Sequence, residues 1–224
     1  MEFIYAENLK QEFDVYGHFY NLKVSDTVLK CRSLLEIKRK GLSESNGMPD
    51  TIVIMMNPGS SIPLDKEYTP KTFSKTEYNN LKEKEIIPTR PDNAQYQIMR
   101  LMQLNNWNFV RVLNLSDLRN GNSGNFQIDF NSAKALDDSN PHCITSINRR
   151  KELLASLKSK SNSIIVAWGS LTILKNSAEE ILKMDNKIIG IVNRELPYFR
   201  YPSPYLKTQK LDWLLEMQSM LNNE

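Results

Sequence analysis

Thr51-Ile52-Val53-Ile54-Met55-Met56-Asn57-Pro58-Gly59-Ser60-Ser61 is the stretch on which the fold turns. Its first half is apolar and β-branched without interruption, the pattern of a parallel strand covered on both faces. The run stops at Asn-Pro-Gly. Proline removes a ladder donor and pushes Asn57 out of the helical region, and Gly59 permits a backbone angle or a close approach that other residues resist. An amide is thereby placed at the carboxyl end of a core strand, where open α/β sheets bind ligands. A plain tight turn has the same signature.

The 224 residues suffice for one well-buried core, and one domain over residues 1–224 is expected, with residues 1–48 packed on it as an N-terminal extension. Hydrophobic content of 40% and charged content of 25% are those of an ordinary globular chain, and a net charge of +3 permits an anionic partner without demanding one. Cys31 and Cys143 form neither a metal spacing nor a disulfide framework, which fits a reducing, cytoplasmic setting. His18 and His142 are too few for a histidine-rich metal site and read as surface or structural residues. The start Met-Glu-Phe-Ile-Tyr lacks the features of a secretory signal, and no segment approaches the ~20 apolar residues that span a bilayer. No cofactor, metal or membrane partner is expected, and the chain is expected to be a monomer.

Further strands are predicted at Phe109–Leu115, Ser163–Trp168 and Lys187–Val192. Helices are predicted after Asp92 as N-cap, over Thr145–Lys160 with Ile147, Leu153, Leu154 and Leu157 inward and Arg149, Arg150 and Lys151 outward, up to about Met184, and at the C-terminus. Val15–Leu29 suggests hairpin-like extended structure, Cys31–Arg39 a short amphipathic segment, and Gly41–Asp50 a loop. Ser60–Arg90 is a long polar connection carrying Tyr68, Phe73 and Tyr78; such connections are functional, or are docked to the body by their aromatics. Strands alternating with helices predict a three-layer α/β/α sandwich around a mainly parallel, four-stranded central sheet.

Each expected core strand releases small or polar groups at its carboxyl end: Asn57-Pro58-Gly59, Asn114, Gly169-Ser170, and later Tyr201-Pro202-Ser203-Pro204. In a parallel sheet these ends share one edge and can line one crevice. Two amides there can read a planar heterocycle through paired donors and acceptors, and Gly-Ser turns can present N–H and hydroxyl groups to phosphate.

In that order, these pieces resemble the uracil-DNA glycosylase superfamily. Met56-Asn57-Pro58-Gly59 is similar to its first active-site motif, Val112-Leu113-Asn114-Leu115 to the strand whose asparagine reads the base, and Val166-Ala167-Trp168-Gly169-Ser170 to the turn that meets DNA phosphate. Tyr201-Pro202-Ser203-Pro204-Tyr205-Leu206 resembles its minor-groove loop. The chain also resembles a bacterial family of unknown function with an Asn-Pro-Ser or Asn-Pro-Gly strand end, a later Asn-Leu, and Ala-Trp-Gly.

The resemblance implies a uracil-DNA glycosylase-like fold and hydrolysis of the N-glycosidic bond of a flipped-out base, in repair or in defence against modified phage DNA. It implies that Asn57 positions the attacking water and that Met56, Pro58, Gly59 and Asn114 surround the base, with Phe73 or Tyr68 stacking on it. Ser60, Gly169, Ser170, Pro202 and Ser203 would then hold DNA, with Tyr205 or Leu206 filling the gap left by the extruded nucleotide. Tyr201 stands where the family has a histidine that stabilises the departing base, and Met56 stands where it has a glycine. These departures point from plain uracil toward a modified pyrimidine. A catalytically silent nucleic-acid-binding module and a nucleoside or nucleotide hydrolase are the alternatives.

Overall fold

The computed structural model describes residues 2–41, 47–80 and 83–222; the loop expected over 41–50 lies partly outside them. A helix, α1 (Ala6–Glu12), leads into β1 (Phe13–Val24) and β2 (Thr27–Arg39), an antiparallel hairpin whose turn carries Ser25 at φ +52°. The quoted stretch supplies β3 (Thr51–Met55), buried at every position. Next come β4 (Ile62–Pro63), β5 (Thr72–Ser74), α2 (Lys75–Asn79), β6 (Ile87–Arg90), α3 (Asn93–Leu104) and β7 (Phe109–Asn114). The remainder forms α4 (Ser123–Leu136), α5 (Arg150–Ser156), β8 (Ser163–Val166), α6 (Lys175–Leu182), β9 (Lys187–Ile189) and α7 (Lys207–Asn222).

The expected four-stranded sheet is corrected to a nine-stranded mixed one among the described residues, in the order β4-β6-β1-β2-β7-β3-β8-β9 with β5 beside β1. The strands β7, β3, β8 and β9 are mutually parallel. The hairpin adds the antiparallel half: β2 lies against β7, with Leu35 opposite Val112. Residues before 48 thus enter the sheet itself. Arg32, Ser33 and Glu36, all buried, interrupt the apolar pattern of β2 and disguise a strand covered on both faces as an amphipathic segment.

Alternation along the strands sends two sets of side chains to two helical layers. Val53, Met55, Val110, Val112, Leu35 and Ile37 face Ile98 and Leu101 of α3 and Trp213 of α7. Ile52, Ile54, Leu113, Ile164 and Val166 face Phe126 of α4, Leu153 of α5 and Ile181 of α6. Each fully buried side chain of this size contributes ~1.5–3 kcal/mol, so this double core holds the sheet edges in place.

The helix expected over 145–160 needs correction. A short 3-10 turn at Ile147–Arg149 precedes α5, which ends at Ser156. Ile147 and Leu154 point outward at 82% and 50% exposure, whereas Arg149, expected outside, is buried at 1%. The cause is electrostatic: Arg149 turns inward to an acidic group, Asp117, that hydrophobic periodicity does not register. The fourth strand stops at Ile189 rather than Val192, because Ile191 and Asn193 bond to Arg200 and Tyr198 in place of β8.

Candidate functional site

The carboxyl ends of β3, β7 and β8 open along one edge of the sheet, as their parallel registers require. Asn57, two residues past β3, is 8% exposed. Its Nδ2 donates to the Leu118 carbonyl at 3.2 Å and to the Asn120 carbonyl at 2.7 Å. Both N–H donors are therefore committed, and the free capacity of the amide is its acceptor oxygen.

Gly59 has φ +63°, and a β-carbon there would strike Asp92 Oδ2. Asp92 accepts from the Ala94 and Gln95 amides at 2.9 and 3.2 Å, capping α3. It also accepts from the Ser60 amide. Burial pushes its carboxyl above the usual range, against the pull of Arg32 and of these amides. The Ser61 hydroxyl donates to the Arg90 carbonyl at 3.1 Å, and Arg119 Nη2 donates to the Ser61 carbonyl at 3.3 Å. Residues 57–61 are thus clamped between the start of α3 and the segment after β7.

Asn114 ends β7 opposite Met55 and shares the face of Val110 and Val112 by alternation. It has no exposure, and neither amide atom has a hydrogen-bond partner. Arg32 is in the same condition: fully buried, with Nε, Nη1 and Nη2 unpartnered. Its amide donates to the Asp117 carbonyl at 2.9 Å, and its side chain runs past Gly17, where a β-carbon would lie 3.4 Å from Arg32 Cδ. Burial lowers its pKa to about 10, partly offset by Asp92, so it remains a cation at neutral pH. Such orphaned buried groups are rare in native proteins and mark sites that expect a partner.

Tyr201 is 41% exposed. Burial of its hydroxyl and the negative charge of Asp92 raise its pKa, so it stays a neutral donor. The opposite face of the sheet carries a second polar cluster. Asp117 Oδ2 accepts from the Tyr20 hydroxyl and from Arg149 Nη1, both at 2.7 Å. Arg149 also pairs with Glu152 at 2.8 Å and reaches the Tyr78 hydroxyl at 3.2 Å. The Tyr78 ring stacks on Tyr20 at 4.3 Å. The long connection is therefore held down by its aromatics. His142, fully buried, meets the Ser116 hydroxyl at 3.1 Å, and His18 meets the Ser33 hydroxyl at 2.8 Å.

Asn57, Gly59, Ser60 and Asn114 come together at this edge, and the Gly169–Ser170 turn follows the end of β8 on it. The Gly169 amide donates to the Phe199 carbonyl at 2.8 Å, with φ +80° at Gly169, and Ser170 is exposed. Pro58 and Pro202 are buried. Met56 packs into the core beneath α4–α6. Phe73, in β5, belongs to that same core, its ring 6.4 Å from Tyr78, and so sits on the face opposite Asn114. Tyr68 is half-buried in the connection. The Ser203 hydroxyl is buried without a partner, while Tyr205 and Leu206 stand out at 95% and 52% exposure.

Sequence reasoning misses Arg32 and Arg119 and sees Asp92 only as a helix cap. The available signal was an arginine amid the Cys31, Leu34, Leu35 and Ile37 alternation. A recess of about 490 Å³ lies to one side, lined by Phe13, Val15, Tyr96, Met99 and Thr89, and does not include either amide. Among the described residues no group of three or more His, Cys, Asp or Glu could hold a metal ion, and no helix is long and apolar enough to cross a membrane. Neither a protein-family model nor a curated protein matches the chain.

Proposed function

We propose that the protein is a DNA glycosylase that hydrolyses the N-glycosidic bond of an extruded, uracil-like or modified pyrimidine and leaves an abasic site. One observation carries this: Asn57, with both N–H groups tied to Leu118 and Asn120, offers only its acceptor oxygen at the same sheet edge as the unpartnered amide of Asn114. An acceptor held in this way orients a water molecule, while an amide with free donor and acceptor reads the edge of a base. The water oxygen bonds to the sugar C1′, the C1′–N bond breaks, its electron pair stays on the base, and the proton of the water passes to solvent. Asn57 cannot accept that proton, so bond breaking runs ahead of water attack and electrostatic stabilisation carries the barrier. The exposed Ser60 and Ser170 supply phosphate contacts, and the exposed Tyr205 and Leu206 supply the wedge.

A second reading, a silent DNA-binding module, is favoured by the zero exposure of Asn114. Oligonucleotides bearing uracil, mismatched thymine or modified cytosines, incubated with the protein and then treated with hot alkali, separate the two. Strand scission by wild type and a loss of 100-fold or more in Asn57→Ala is the expected result. Salt-sensitive DNA binding without scission on any substrate identifies the binder instead.

A further inference from the structure

Arg32 has no place in the chemistry so far, and all three of its guanidinium nitrogens are buried without a hydrogen-bond partner. A guanidinium in that state, with no exposure, carries its charge out of water, opposed through space by Asp92 and Asp117 but bonded to neither. Its surroundings offset that charge only in part. Asp92 is the foremost opposing charge, but its oxygens serve the amides of Ala94, Gln95 and Ser60. Asp117, reached through the backbone, gives its Oδ2 to Tyr20 and Arg149, and its Oδ1 is bonded to no group, Arg32 included. Arg119 is a like charge, bound to the Ser61 carbonyl and lying over the Phe19 ring at 4.9 Å. Tyr201 is neutral.

Arg32 and Asn114 lie toward the same end of neighbouring strands. β2 pairs with β7 through Leu35 and Val112, whose side chains share one core. Beyond that pair, β2 reaches Arg32 as β7 reaches Asn114. The Arg32 amide then bonds to the Asp117 carbonyl, just past the end of β7. Two orphaned groups of complementary kind, a cation and a donor–acceptor amide, therefore stand on neighbouring strands toward the edge that holds Asn57.

We propose that Arg32 is the group that takes up the negative charge of the departing base, forming with Asn114 a recess for a planar nucleobase anion, an assignment that rests on the glycosylase reading. As the C1′–N bond breaks, its electron pair spreads from the ring nitrogen onto the ring carbonyl oxygens. Guanidinium N–H groups donate to one such oxygen, and Asn114 pairs with the adjoining edge. The charge is supplied by the hairpin rather than by the Tyr201 segment.

The test compares wild type with Arg32→Met, which keeps the stem and removes the charge, and with Arg32→Lys. Calorimetry at one fixed pH measures binding of free uracil and of free 5-fluorouracil, the more acidic base. Wild type should bind 5-fluorouracil several-fold more tightly than uracil; Arg32→Met should lose that preference with at least tenfold weaker binding, and Arg32→Lys should keep part of it. Single-turnover excision should slow in Arg32→Met by 100-fold or more, and by less for a 5-fluorinated base than for its parent. Thermal melting checks folding, and Arg32→Met should melt no lower than wild type. Should it not fold, the acidity preference of wild type decides, and its absence overturns the assignment. Excision by Arg32→Met at the wild-type rate overturns the role of Arg32 and leaves the glycosylase reading standing. Arg32-dependent binding of the base anion without excision does the reverse. Neither binding nor excision overturns both.

Discussion

The carboxylate of Asp117 and the guanidinium of Arg149 meet at 2.7 Å with both side chains at 0% exposure. Asp117 directly precedes Leu118, whose carbonyl holds the Asn57 amide, so this ion pair anchors the segment on which the candidate site is built. Removing one member leaves the other charged and buried. Arg149→Met is expected to lower stability by ~3–5 kcal/mol in urea melts, and adding Asp117→Asn should return part of that loss.

Glu152 gives this network a pH signature. Burial works against its ionised form, yet the Arg149 guanidinium and Lys84 outweigh burial and hold its carboxyl down, from 4.5 to about 2. A folded-state pKa below the unfolded one contributes stability above pH 4.5, and that contribution is lost as the pH falls toward 2. Wild type should therefore exceed Glu152→Gln by up to ~3 kcal/mol near neutral pH, with the gap closing in urea melts taken at successively lower pH.

Asn114 offers the opposite experiment. A buried amide without partners costs ~1–3 kcal/mol relative to a satisfied one. Asn114→Leu, of similar volume and apolar, should raise the urea midpoint while abolishing excision. A fall in stability instead would mean that the amide has a structural partner in solution.

Gly59 is constrained twice, by φ +63° and by the proximity of Asp92 Oδ2. Gly59→Ala should cost ~1–2 kcal/mol from backbone strain alone. The added methyl must also displace the carboxylate that caps α3. Amide exchange at Ala94 and Gln95 should accelerate together with the loss of stability.

At the parallel end of the sheet, sequence and structure agree closely. The β-branched run at Thr51–Met55 and its stop at Asn57 say where β3 lies and where it ends, because a strand covered on both faces needs uninterrupted apolar residues. The hairpin was harder to read. Glu36 sits inside β2 through its pairing with Arg111 at 2.9 Å, Arg32 is buried there with no side-chain partner, and a hydrophobicity pattern counts both as surface. The same blindness turned Arg149 outward and Ile147 inward. In the candidate site the two asparagines were legible because each ends a strand. Arg32 was not, since its importance lies in having no partner, which no string of residues displays.

The hairpin also carries a consequence for how the protein is made. β2 leaves the ribosome well before its neighbour β7, with residues 40–108 still to come. Until Phe109–Asn114 emerges, one flank of β2 has a row of unsatisfied peptide groups beside Leu35 and Ile37, and sheets closed by such distant segments assemble slowly. A nascent chain stalled short of that point would present a sticky flank to its neighbours. Synthesis of this protein should accordingly depend on a holding chaperone more than its modest size suggests.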